Sequence, residues 1–161
     1  VEGVFPRTAV GTRRQVVARY GRLMHVSYAG DITPEQSWKL LSENPDAVLV
    51  DCRTEAEWRF VGVPDISSLG REVVYVEWNT AGGHNDNFVA DLIASGVTPG
   101  ERPVIFLCRS GNRSIPAAAT ATAAGIAPSY NVLDGFEGQL DEHGHRGGNG
   151  WRAVGLPWKQ T

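Results

Sequence analysis

Cysteine is scarce in this chain, with Cys52 and Cys108 its only two among 161 residues. A disulfide framework is therefore excluded, and at least one thiol is a candidate for reactivity. So few cysteines suit a reducing compartment, and a cytoplasmic location is expected. Long apolar runs are missing as well: none approaches the ~20 residues that a membrane-spanning helix needs, so no bilayer span is expected. Excess positive charge is absent, the formal net charge being −3. A general nucleic-acid binder would carry a basic face, so that class is disfavoured. No charged stretch followed by an apolar stretch marks a signal peptide at Val1 and beyond. Neither a Gly-x-Ser-x-Gly elbow nor a Walker-type phosphate loop occurs, which disfavours serine hydrolases and nucleotide-binding enzymes. His143 and His145 have the spacing of a metal pair, yet no cluster of Cys or carboxylates at ligand spacing joins them. We expect no metal and no cofactor.

What is present is the pattern of an ordinary globular domain. The hydrophobic share of 42% and charged share of 20% suit one packed core in a chain of this length. Residues 1–24 contain Arg7, Arg13, Arg14, Arg19 and Arg22 with only weak helical spacing, and are read as an extension, disordered or swapped. Residues 25–161 are read as one domain. Thr33-Pro34-Glu35-Gln36 carries a capping box with proline in the first turn and predicts a helix, and Thr54 with Glu57 repeats the box spacing. The apolar runs 47–51, 73–76, 104–107 and 130–133 read as strands, several of them buried on both faces. Helices are expected over 87–95, stopped by Gly96, and over 115–124. Strands alternating with helices predict an α/β fold with a largely parallel sheet. Ligands of such sheets bind beyond the carboxyl ends of the strands.

Cys108 stands at one of those ends. The segment Cys108-Arg109-Ser110-Gly111-Asn112-Arg113-Ser114 lies between a buried strand and a helix. A tight loop there turns backbone N–H groups inward beside the positive end of the helix, forming an anion cradle that favours a thiolate. Gly111 supplies backbone freedom and Asn112 tolerates the left-handed region. The competing reading is that Cys108 is simply a buried small hydrophobe.

The ordered set of segments resembles the rhodanese family over roughly residues 28–158. The pieces are Asp31-Ile32-Thr33-Pro34, Leu49-Val50-Asp51-Cys52-Arg53, Thr54-Glu55-Ala56-Glu57-Trp58, the Cys108 loop, Tyr130 to Gly138, Gly150-Trp151 and Gly155-Leu156-Pro157-Trp158. The resemblance implies a three-layer α/β/α domain with a five-stranded, largely parallel sheet. It implies a sulfurtransferase whose catalytic Cys108 takes sulfur from a small anionic donor such as thiosulfate, holds it as a persulfide, and passes it to a thiol, cyanide or protein acceptor. Arg109, Ser110, Gly111, Asn112 and Arg113 would bind the substrate, with Arg113 equally suited to bracing the loop. Asp51 and Arg53 match the family's Asp-x-Arg and are expected to support the loop through an ion pair or hydrogen bonds to its backbone. Two features depart from the family: Gly62-Val63-Pro64-Asp65-Ile66 lacks the usual histidine, and a Gly/His-rich insertion spans Asp141 to Asn149. Two alternatives stand beside this reading: a non-catalytic interaction or regulatory module of the same shape, and a cysteine-dependent phosphatase or arsenate reductase. The latter have one more residue between Cys and Arg than the four found here.

Overall fold

The computed structural model describes residues 27–161, so the expected extension, residues 1–24, lies outside the described residues. Five strands form the central sheet: β1 (Gly30–Ile32), β2 (Val48–Asp51), β4 (Val74–Tyr75), β7 (Val104–Leu107) and β8 (Ser129–Val132). Their order is β1-β8-β7-β2-β4 and every neighbouring pair is parallel. The apolar runs predict four of these strands. β1 escapes that reading because its sequence, Gly-Asp-Ile, is short and mixed, and it is ordered by pairing with β8.

Helices α1 (Pro34–Glu43) and α2 (Glu55–Phe60) both begin at the expected capping boxes. In α1, Thr33 Oγ1 accepts the Gln36 N–H at 3.1 Å and Gln36 Oε1 accepts the Thr33 N–H at 2.8 Å, which satisfies donors that the first turn leaves unpaired. α3 (Phe88–Ala94) and α4 (Ser114–Ala123) follow.

Alternation along the strands assigns the two layers. Val48, Val50, Cys52, Val104, Phe106 and Cys108 pack with Phe88 and Leu92 of α3 and the alanines of α4. Leu49, Ile105, Leu107 and Val132 pack on the opposite face with Leu40 and Leu41 of α1, Phe136 and Trp151. The small side chains of α4 let that helix lie close to the sheet, and Ala117, Ala118 and Ala121 are fully buried. Two short pairings were not expected from the sequence: the hairpin of β5 (Asn79–Thr80) with β6 (Gly83–His84), and the antiparallel pair of β3 (Val63–Pro64) with β9 (Trp158–Lys159), which returns the C-terminal segment to the residues after α2. Each strand of these pairs is two residues long, too short to leave a hydrophobic period.

Candidate active site

The strand β7 delivers Cys108 to the first turn of α4. Because Phe106 and Cys108 share a face, the sulfur leaves the sheet toward that helix rather than toward α1. The Ser114 N–H donates to Cys108 Sγ at 3.3 Å, and Ser114 Oγ lies 3.0 Å from the same sulfur. The backbone N–H groups of Arg109, Ser110 and Gly111 donate to no acceptor among the described residues. The loop is clasped by the turn after β8: Phe136 N–H donates to Cys108 O at 2.8 Å and Glu137 N–H to Arg109 O at 2.9 Å. Two glycines make this approach feasible. Gly135, at φ +59°, would bring a Cβ to 2.3 Å from Cys108 O, and Gly111, at φ +87°, would bring one to 3.1 Å from Val132 O; any side chain would push the two loops apart.

The two loop arginines part company. Arg113 reaches Glu57 of α2 with both terminal nitrogens, at 2.6 and 2.9 Å. Burial raises the Glu57 carboxyl, but the Arg113 hydrogen bonds more than offset this and hold it below the usual carboxylate range. Arg113 is thus engaged with protein, in line with a brace. Arg109 is exposed, and its guanidinium has no hydrogen bond or ion pair among the described residues.

Asp51 and Arg53 form a wholly buried pair, with Nη2 2.7 Å from Asp51 Oδ2 and Nε 3.0 Å from Oδ1. Arg53 also donates to Gly62 O at 2.8 Å. The ion pair is one of the two arrangements expected from the sequence; the other, hydrogen bonds from these side chains to the backbone of 108–113, is not formed among the described residues. The connection runs through Phe136, whose ring centroid lies 4.2 Å from Arg53 Cζ while its N–H holds Cys108 O.

Cys52 directly follows the last residue of β2, Asp51, which is paired with Leu107, and so lies beside Cys108 on the same face. Its thiol donates to Leu107 O at 3.4 Å. Burial, and secondly the neighbouring Cys108, push the Cys52 thiol well up. Both cysteines are 0% exposed, so their hydrogen-bond partners distinguish them and their exposure does not.

The insertion expected at 141–149 is tied down near its base. Gln139 Nε2 donates to Ser110 O, Gln139 N–H to Asn149 Oδ1 at 2.7 Å, and Arg146 to Gly138 O at 2.8 Å. His143 and His145 are exposed, and among the described residues no group of three or more His, Cys, Asp or Glu is arranged to hold a metal. Several contributors escaped the sequence reading. Glu57 was legible only as a capping residue, and Gln139 only as part of a loop. Ser114 followed the loop without an assigned role, and Asn131 reaches it from another strand.

A parallel five-stranded sheet covered on both faces, with a cysteine loop clasped at the end of its central strand, defines a rhodanese-like domain. The chain belongs to the STR4 middle-domain family, whose model matches residues 29–161. The crystal structure of Rv0390 from M. tuberculosis is 73% identical, with a TM-score of 0.77, and the match covers 84% of this chain and 100% of that one. Uncharacterized protein RC0915 of Rickettsia conorii is 33% identical over 129 residues, covering 80% of this chain and 96% of its own length. Rhodanese-like domain-containing protein 4, chloroplastic, of Arabidopsis thaliana is 27% identical over 77% of this chain and 24% of its own length. The solution structure of a polysulfide-sulfur transferase homodimer from Wolinella succinogenes is 26% identical, with a TM-score of 0.58 over 94% of this chain and 91% of that one. The shared fold relates the chain to the sulfurtransferases.

Proposed function

We propose that the chain is a sulfurtransferase that carries sulfane sulfur as a persulfide on Cys108. The observation that carries this reading is the division of labour in the loop: Arg113 is committed to Glu57, while Arg109 stands exposed beside the cysteine and suits attraction of a small anionic donor. In the first step the Cys108 thiolate attacks the outer sulfur of thiosulfate; the donor's S–S bond breaks and sulfite leaves with the electron pair. In the second, cyanide or a thiol attacks the outer sulfur and the Cys108 thiolate is the leaving group. The N–H groups of Arg109, Ser110 and Gly111, with the first turn of α4, suit the negative charge of the outer sulfur in between. Donation by Ser114 to Sγ supports the same sulfur as nucleophile and as leaving group. The relation to a named polysulfide-sulfur transferase supports sulfane sulfur as the transferred group.

The test is a panel of donors, including thiosulfate, polysulfide and mercaptopyruvate, with persulfide formation followed by intact mass and an aryl phosphate as a parallel substrate. One added sulfur atom on Cys108, absent in Cys108→Ser and largely kept in Cys52→Ser, is the expected result. Equal loss in both variants would indicate a two-cysteine redox mechanism. Turnover of the aryl phosphate alone would indicate a phosphatase, and inertness toward every donor an interaction module.

A further inference from the structure

Behind the Cys108 thiol runs a line of polar groups that no motif marks. Ser114 Oγ donates to Asn131 Oδ1; Asn131 Nδ2 donates to Asp31 Oδ1 at 3.0 Å and to Gly111 O at 3.4 Å; and Tyr28 OH donates to Asp31 Oδ1 at 2.8 Å. The line crosses the sheet from α4 through β8 to the edge strand β1, where Asp31 and Asn131 are register partners. Ser114 and Asn131 are 0% and 1% exposed, so bulk water is not an alternative partner for either.

A hydroxyl has one proton to give. Given to Asn131 Oδ1, it leaves Ser114 Oγ as an acceptor toward Cys108, an arrangement that suits the protonated thiol. An anionic sulfur needs the same proton turned the other way. Asn131 cannot ease the change by rotating its amide, because Asp31 Oδ1 and Gly111 O are both acceptors and a flipped amide would set oxygen against oxygen. Burial, then the hydrogen bond to Asp31, push the Tyr28 phenol well up, so Tyr28 remains a donor and keeps Asp31 in place.

We propose that Asn131, locked in orientation by Asp31, is a positioning residue that competes with Cys108 for the single proton of Ser114 and so restrains the nucleophile at rest. This rests on Cys108 being the nucleophile of the proposed transfer. Sulfur becomes reactive when the hydroxyl turns from Asn131 to Sγ and joins the Ser114 N–H there, the thiol proton passing to solvent.

The competition gives opposite signs to neighbouring substitutions. The measurement is the rate at which limiting iodoacetamide alkylates Cys108, read by peptide mapping, alongside kcat and KM for thiosulfate. In alkylation the thiolate forms the C–S bond and iodide leaves. Ser114→Ala removes the donor and is expected to slow alkylation about tenfold to a hundredfold, the worth of one hydrogen bond to a charged group. Asp31→Asn, nearly isosteric, removes the charge of the acceptor that fixes the Asn131 amide and so weakens the lock, and Asn131→Ala removes the competitor; each is expected to speed alkylation by a few-fold and to raise kcat with KM unchanged. In the Ser114→Ala background, Asp31→Asn is expected to have no effect, since its influence passes through the hydroxyl. A merely structural role would loosen the packing and speed labelling of both buried thiols, Cys52 with Cys108, in all three variants, and that result, an unchanged rate in Asp31→Asn, or an equal effect of Asp31→Asn in both backgrounds would overturn the proposal. Should Asn131→Ala fail to fold, Asp31→Asn still decides. Alkylation needs no sulfur donor, so a chain that alkylates as expected yet takes no sulfur would refute the proposed transfer and leave this inference standing.

Discussion

At the scale of single residues, position in the fold separates groups that look alike in the sequence. Arg109 and Arg113 are both loop arginines, yet one is exposed and the other holds Glu57 at 2.6 Å. Arg109→Ala is therefore expected to raise KM for thiosulfate more than it lowers kcat, because an anion contact shared by ground and transition states contributes to binding alone. Steady-state kinetics with varied thiosulfate check this, and a fall in kcat at unchanged KM would move Arg109 into the chemistry. Cys52 and Cys108 are equally buried, but only Cys108 faces the first turn of a helix and a serine. Cys52 instead donates to the carbonyl of Leu107 on the strand beside it. Serine in its place keeps a donor of similar size, which is the reason most activity is expected to survive Cys52→Ser.

At the scale of elements, the pair Glu57–Arg113 ties α2 to the cysteine loop, and the capping box of α2 positions its carboxylate. Thr54 Oγ1 accepts the Glu57 N–H at 3.3 Å and donates to Glu57 Oε1 at 3.1 Å, so one side chain both caps a helix and holds the loop's Arg113. Arg113→Ala leaves that carboxylate without its cation and is expected to cost about 2 kcal/mol, a fall of several degrees in Tm. An unchanged melting temperature would assign Arg113 to substrate. Because the folded Glu57 carboxyl lies below its ordinary value, its contribution is present above the unfolded value of about 4.3 and is lost as pH falls toward the folded one. Denaturant titrations from pH 6 down to pH 3 are expected to show a shallower acid loss in Glu57→Gln than in the native chain. Parallel curves would remove Glu57 from the acid limb.

For the whole molecule, the sheet order β1-β8-β7-β2-β4 places the cysteine strand at the centre, and the rest of the chain surrounds its carboxyl end. We expect a chain of residues 25–161 to fold cooperatively and to retain sulfur transfer, since both core clusters and every loop contact given above lie within it. Thermal unfolding and the persulfide assay check this, and loss of either would make residues 1–24 part of the domain. The sequence by itself determined the elements whose physics is local: capping boxes at Thr33 and Thr54, doubly buried strands as continuous apolar runs, a small-residue helix, and a cysteine loop between strand and helix. It also carried the family in the order of its motifs. The tertiary structure alone decided which arginine is engaged, that Arg53 stacks on Phe136, whose N–H holds Cys108 O, and that Asn131 and Asp31 stand behind Ser114. Those relations join residues up to 100 positions apart, and no period or spacing along a chain encodes which side chains two distant strands bring together.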